Sequence, residues 1–171
     1  YLLRVFAWKL ILGYNGVING SLSNLGLIDN PLSFLLYNPF AVFVTLAHAW
    51  SAFAILPIYV SLEKIDRSLL EAASDLGDSA FRRFWRITFP LSFPGVLAAS
   101  MIIFIPTTGD FITPKLVGGS EGIMVANLIQ VMFGKANNWP LGSSLAIITM
   151  TIVTLSVICF VVISRWLISR I

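Results

Sequence analysis

The sequence predicts an all-α integral membrane protein with three transmembrane helices. Apolar residues make up 57% of the 171 positions and charged residues only 11%, whereas soluble domains average about 45–50% and about 25%. Three long segments carry no charged residue, namely 30–62, 87–109 and 136–164. A soluble fold of this size cannot bury so much apolar surface, so a water-soluble globular enzyme is excluded.

Each of these segments exceeds the roughly 20 residues that a helix needs to cross a bilayer. We place the membrane spans near 40–62, 90–108 and 142–164, within a transmembrane domain that covers 39–171. The uncharged run 10–28 is also long, but glycine and asparagine interrupt it repeatedly, and both weaken a lipid-exposed helix. We therefore predict that 1–38 is an extracytoplasmic loop with an interfacial helix.

The basic residues predict the orientation of the spans. Loop 63–86 and the C-terminal tail together hold seven basic residues, whereas the other side holds four: Arg4, Lys9, Lys115 and Lys135. Because cytoplasmic segments are enriched in lysine and arginine, we expect this loop and the C-terminus to face the cytoplasm. The net charge of +3 is too small and too scattered to indicate nucleic-acid binding, but it suits a protein embedded in membrane lipid.

The loop between the first two spans, 63–89, has the pattern of two short helices joined by a glycine turn. Ser68 and Glu71 have the spacing of a capping box, and Gly77 stands where a helix end favours a left-handed residue. Asp78 or Ser79 is predicted to cap the second helix, 80–87, in which Asp78 also pairs with Arg82. Proline is favoured at a helix start, so Pro90 is predicted to open the next span.

Two interpretations of this loop are open: a solvated linker and a docking element. Docking is favoured because small and apolar residues share one helical face, and because the ten charges of the loop are balanced, five of each sign. The residues on that face are Leu69, Ala72, Ala73 and Leu76. A mere linker needs neither this face nor two defined helix ends.

Six residues of this region resemble the EAA signature of ABC-importer permeases: Glu71, Ala72, Ala73, Gly77, Ile87 and Pro90. Phe89 replaces the usual leucine before the proline. Segments 62–71, 109–114 and 138–142, together with the opening stretch 4–9, are similar to the spermidine/putrescine branch of this family. The resemblance covers nearly the whole chain.

The resemblance implies that the chain is the C-terminal part of a permease that normally has six spans and would lack the first three. It implies that the loop is a coupling helix seated in a cytosolic ATPase dimer, in a multi-pass protein of a bacterial-type inner membrane. It also implies a second permease subunit, an extracytoplasmic substrate-binding protein and inward transport by alternating access.

The sequence contains no phosphate-binding loop, because Gly134-Lys135 is followed by alanine and lacks the upstream glycine. We therefore expect ATP hydrolysis on a separate subunit and no cofactor. His48 is the single histidine, which excludes a two-histidine metal motif in this chain. It lies in the first span, where it either packs against another helix or lines a pathway.

Asp110 ends the second span and is followed by Phe111. A carboxylate beside aromatic rings suits an alkylammonium substrate through ion pairing and cation–π contact. Asp110 equally suits a membrane boundary or a helix cap, and the path residues Phe111, Trp50 and Tyr37 also suit interfacial or core positions. The alternatives to a polyamine permease are an importer permease for another small solute and a membrane anchor or assembly subunit that recruits a cytosolic partner.

Overall fold

The computed structural model describes residues 1–168, and over that range the regular secondary structure is helical. Three helices are long and apolar enough to cross a membrane: Pro39–Glu63, Ala80–Thr108 and Trp139–Trp166. The predicted fold class is confirmed. The first and third spans agree with their predicted bounds to within a few residues at each end.

The helices follow one another as α1 (Leu2–Leu12), α2 (Val17–Asn24), α3 (Pro39–Glu63), α4 (Arg67–Asp75), α5 (Ala80–Arg83), α6 (Phe89–Thr108), α7 (Val125–Phe133) and α8 (Trp139–Ile168). A 3₁₀ turn covers Ser33–Leu35, and π-helical turns cover Phe84–Thr88 and Pro114–Gly118. The uncharged run 10–28 is divided between α1 and α2 and contains no helix of membrane-spanning length.

The start of the second span differs from the prediction. Pro90 does not open a helix, because α5, the π turn and α6 form one continuous helix over Ala80–Thr108. In the π turn the Phe89 amide donates to the carbonyl of Phe84, five residues earlier. Proline in a regular helix removes one hydrogen bond and crowds the preceding turn, and the wider π turn just before Pro90 accommodates this.

The chain divides into two compact units, 1–50 with 106–152 and 51–105 with 153 onward. The core of the first unit contains Val5 and Val117, both fully buried, with Ala41, Val42 and Leu46 of α3. Residues 1–8 contact one short stretch of α3 there: the Tyr1 ring contacts Trp50, the Arg4 guanidinium donates to the Ala49 carbonyl at 2.9 Å, and Trp8 contacts His48.

In the second unit, α3 and α6 approach closely at Gly95. A Cβ atom at this position would lie 2.6 Å from the Pro57 carbonyl oxygen and equally close to the Ser61 Cβ atom. Such distances are shorter than real Cβ atoms adopt, so only glycine fits without a shift of the backbone. Glycine thus sets the spacing between the first two membrane helices, as small residues commonly do in membranes.

Candidate coupling and substrate sites

The first helix of loop 63–89 has defined ends. The Asp66 carboxylate accepts a hydrogen bond from the Ser68 amide at 2.9 Å and caps α4. The predicted capping box at Ser68 is therefore wrong: α4 begins at Arg67, and Ser68 already lies inside it. A carboxylate is as good a cap as a hydroxyl and complements the positive end of the helix dipole. The aspartate before Arg67 was therefore a cap signal that the sequence already contained.

The end of α4 is as predicted. Gly77 has φ +81°, its amide donates to the Ser74 carbonyl at 2.9 Å, and the Asp78 amide donates to the Ala73 carbonyl at 3.0 Å. This pair of bonds is a Schellman motif. It satisfies carbonyls at the end of α4 and turns the chain sharply into α5.

Most of the predicted docking face of α4 is exposed in the structure. On that face Ala73 is buried, but Leu69 and Ala72 are exposed, and Leu76 is 87% exposed. Glu71, which was predicted to lie off that face, is exposed as well. Burying apolar surface of this kind contributes about 25 cal/mol per Å². The described part of the chain therefore leaves an apolar, small-residue surface on α4 exposed.

The second half of the loop is held to the first by charged side chains. Asp78 pairs with Arg82 at 3.5 Å, as predicted, and also with Arg86 at 3.2 Å. Ser79 rather than Asp78 caps α5, through a bond of 3.4 Å from the Arg82 amide. The Arg83 guanidinium donates to the Leu70 carbonyl of α4 at 3.4 Å. These contacts join α4 to the start of the second span within one unit.

At the other candidate site, Asp110 is buried, with 8% of its surface exposed. One carboxylate oxygen accepts from the backbone amides of Ile112 at 2.9 Å and Thr113 at 3.2 Å. The other accepts from the Thr113 hydroxyl at 2.7 Å and from the Tyr1 hydroxyl. Asp110 thus caps the turn that follows the second span.

Tyr1 joins Asp110 to Trp50, since its ring centroid lies 5.6 Å from that of Trp50. Burial, and secondly the hydrogen bond to Asp110, raise the pKa of Tyr1 to about 12. The structure therefore brings Asp110 and Trp50 into contact with Tyr1, a residue that no sequence pattern singled out. Phe111 is 37% exposed, and its carbonyl accepts from the Asn127 side chain at 2.7 Å.

Tyr37 belongs to a different part of the same unit. It adopts φ +63° and lines a surface groove with residues of 33–40 and 120–121. His48 packs edge-on against Trp8, with ring centroids 5.6 Å apart, as expected for a histidine packed against another helix. Within residues 1–168, no group of three or more metal-ligating side chains comes together.

Three helices long and apolar enough to cross a membrane, the first two joined by a loop of short capped helices, are the architecture of a multi-pass membrane protein. Residues 5–171 match the family of the binding-protein-dependent transport system inner membrane component. The chain belongs to this family, whose members are multi-pass inner membrane permease components.

Among curated proteins, the chain is similar to the spermidine/putrescine transport system permease protein PotB of Escherichia coli, with 38% identity over 152 residues. It is 38% identical over 146 residues to PotB of Haemophilus influenzae, and 31% identical over 165 residues to the inner membrane ABC transporter permease protein YdcU of Escherichia coli. These alignments cover 89%, 85% and 91% of the chain, but 54%, 51% and 52% of the relatives. The chain thus spans about half the length of the curated relatives it matches.

Proposed function

We propose that the chain is the coupling half of a permease subunit in an ATP-driven polyamine importer. The observation that carries this proposal is the exposed face of α4 in a chain that is similar to spermidine/putrescine permeases over most of its length. In this proposal a separate cytosolic ATPase dimer binds the loop, a second permease subunit completes the channel, and an extracytoplasmic binding protein delivers the substrate.

Six residues form the proposed coupling element: Glu71, Ala72, Ala73, Gly77, Ile87 and Pro90. Ala72 lets the ATPase approach the α4 backbone closely, Glu71 offers a charge to it, and Gly77 fixes the turn. Ile87 and Pro90 lie in the continuous helix Ala80–Thr108. This continuity supports the mechanism, because α5 is hydrogen-bonded to α4 through Arg83 and continues into the second span without a break.

The test of coupling uses the complete importer in proteoliposomes. Glu71→Lys reverses an exposed charge, so we expect normal assembly but loss of ATP-dependent uptake. Glu63→Lys, an equal charge reversal at the exposed end of α3, is the matched control and should transport normally. Equal uptake by both variants would argue for an anchor or assembly subunit instead.

For the substrate, we propose that an ammonium group of a polyamine replaces the Tyr1 hydroxyl on Asp110 and makes a cation–π contact with Trp50. Phe111 and Tyr37 line the approach in this proposal. Asp110→Asn keeps one acceptor oxygen but removes the charge, so uptake of labelled spermidine should fall about tenfold or more. The measurement is paired with the melting temperature and the basal ATPase rate. Wild-type complex that fails to take up spermidine, but takes up another solute, would favour the other-solute alternative.

The proposed orientation has the loop and the C-terminus in the cytoplasm. Cysteine at Ser74 should react only with reagents that enter the cell, and cysteine at Ser120 should react from outside. The tail residue Arg170, which contributes to the charge asymmetry, lies outside the described residues. The reverse labelling pattern would overturn the orientation and the coupling role with it.

A further inference from the structure

A surface groove of about 640 Å³ lies in the first unit, between the segment that precedes α3 and the turn before α7. Three aromatic side chains line it, and each remains largely exposed: Phe34 at 66%, Tyr37 at 55% and Phe40 at 60%. Ser120 and Glu121 form its polar side. A single exposed aromatic residue is common on a protein surface, whereas three exposed rings around one groove are typical of a binding surface.

The backbone of Tyr37 is strained and is held in that conformation by its neighbours. Tyr37 has φ +63°, which is uncommon for a bulky residue. Its amide donates to the Val117 carbonyl at 2.9 Å, and Gly119, at φ +62°, leaves no space beside it, since a Cβ there would lie 2.7 Å from the Tyr37 carbonyl oxygen. Strain of this kind persists where the surroundings over-determine it, and it is frequent at binding sites.

Glu121 supplies the one formal charge among the residues that line the groove. Within residues 1–168 it has no salt-bridge partner, since both ion pairs there use Asp78. A carboxylate attracts a cation, the ring faces add cation–π attraction, and the apolar sides of the rings pack against methylene groups. This combination fits an alkylammonium chain better than it fits an anion.

We infer that the groove of Phe34, Tyr37, Phe40 and Glu121 is a cation subsite for alkylammonium compounds, separate from the Asp110 cluster. The inference deepens the proposed polyamine function and rests on it for the identity of the natural ligand. The subsite would hold a di- or polyamine by one ammonium group before the rest of the molecule enters the membrane domain.

The test places a cysteine at Ser120 in the complete importer, with the native Cys159 replaced by serine. An aminoethyl methanethiosulfonate, which carries an ammonium group, should modify this cysteine about three- to fivefold faster than an uncharged reagent of similar size. Spermidine should slow the reaction. Glu121→Gln should abolish both effects, whereas Asp29→Asn, which removes an exposed carboxylate outside the groove, should preserve them.

Equal modification rates in the Glu121 and Glu121→Gln backgrounds would overturn the subsite. So would protection by the ligand-free binding protein without any protection by spermidine, because the groove would then be a protein interface. Uptake of labelled spermidine, measured on the same preparation, separates the two proposals. Normal uptake without protection by spermidine would contradict only the subsite. Protection by spermidine without uptake would contradict only polyamine transport.

Discussion

Asp66 and Asp110 perform the same local task in opposite surroundings. Each carboxylate accepts a hydrogen bond of 2.9 Å from the amide two residues later. Asp66 is exposed and makes that bond at the start of α4, whereas Asp110 is buried and also bonds the Thr113 amide, the Thr113 hydroxyl and Tyr1.

The difference shows how one residue type serves two kinds of site. Around Asp66 water can replace every contact, so the cap shapes α4 without tying it to other elements. Around Asp110 the amide and hydroxyl of the fully buried Thr113 would be left in a dry environment if the carboxylate were removed. An unsatisfied buried group costs about 1–3 kcal/mol. We therefore expect substitutions near Asp66 to alter coupling and substitutions near Asp110 to alter stability.

The largest expected effect is that of Asp110→Ala. The substitution leaves the Thr113 amide and hydroxyl without their buried acceptor, so the variant should lose about 2–3 kcal/mol of stability. Thermal unfolding of the purified complex in detergent measures this loss. Asp66→Ala is the control, and equal melting temperatures for the two variants would contradict the comparison.

The next effect is expected at Gly77. Open space surrounds it, so a new side chain meets no obstacle, and the penalty of Gly77→Val is the left-handed backbone alone, about 1–2 kcal/mol. Asparagine tolerates this conformation and is the matched control. We expect Gly77→Val to uncouple ATP hydrolysis from uptake and Gly77→Asn to retain coupling. Uncoupling by both variants would show that the turn conformation is not the cause.

Removal of the Tyr1 hydroxyl should have a smaller effect. Tyr1→Phe loses the bond to Asp110, worth roughly 1 kcal/mol at this half-exposed position. Because the pKa of Tyr1 is raised from 10.0 to about 12, its contribution is complete below pH 10 and is lost as the pH rises through 12. The difference in melting temperature between wild type and variant should therefore shrink between pH 10 and pH 12. A constant difference would show that folding does not raise the pKa of Tyr1.

The smallest effect concerns the pH response of the exposed cap. The hydrogen bond from the Ser68 amide lowers the pKa of Asp66 below its ordinary value of 3.8. Its contribution is therefore present above pH 3.8 and is lost as the pH falls through the lower folded value. Hydrogen exchange at the Ser68 amide, corrected for its intrinsic rate, should accelerate over that range. Asp66→Asn, a cap that does not titrate, should show no such acceleration.

Local signals predicted much of loop 63–89 correctly. Gly77 at φ +81° and the pair of Asp78 with Arg82 both follow from spacing along one helix or turn. The predicted caps were partly wrong, because Asp66 and Ser68 are both acceptable caps and only the direction of the incoming chain selects between them. The prediction that Pro90 opens a helix was wrong for a related reason. A π turn lets a continuous helix accommodate the proline, and no residue pattern predicts that turn.

The sequence by itself determined the membrane class, the three spans and the family signature. These depend on runs of apolar residues, on their length and on short motifs, all of which lie within single segments of the chain. Only the tertiary structure decided that Tyr1 contacts Asp110, 109 positions away, that Gly119 locks Tyr37, and that Gly95 spaces α3 from α6. Such contacts depend on how separate helices pack, and the free energy of that packing is spread over many weak contacts that no local pattern encodes.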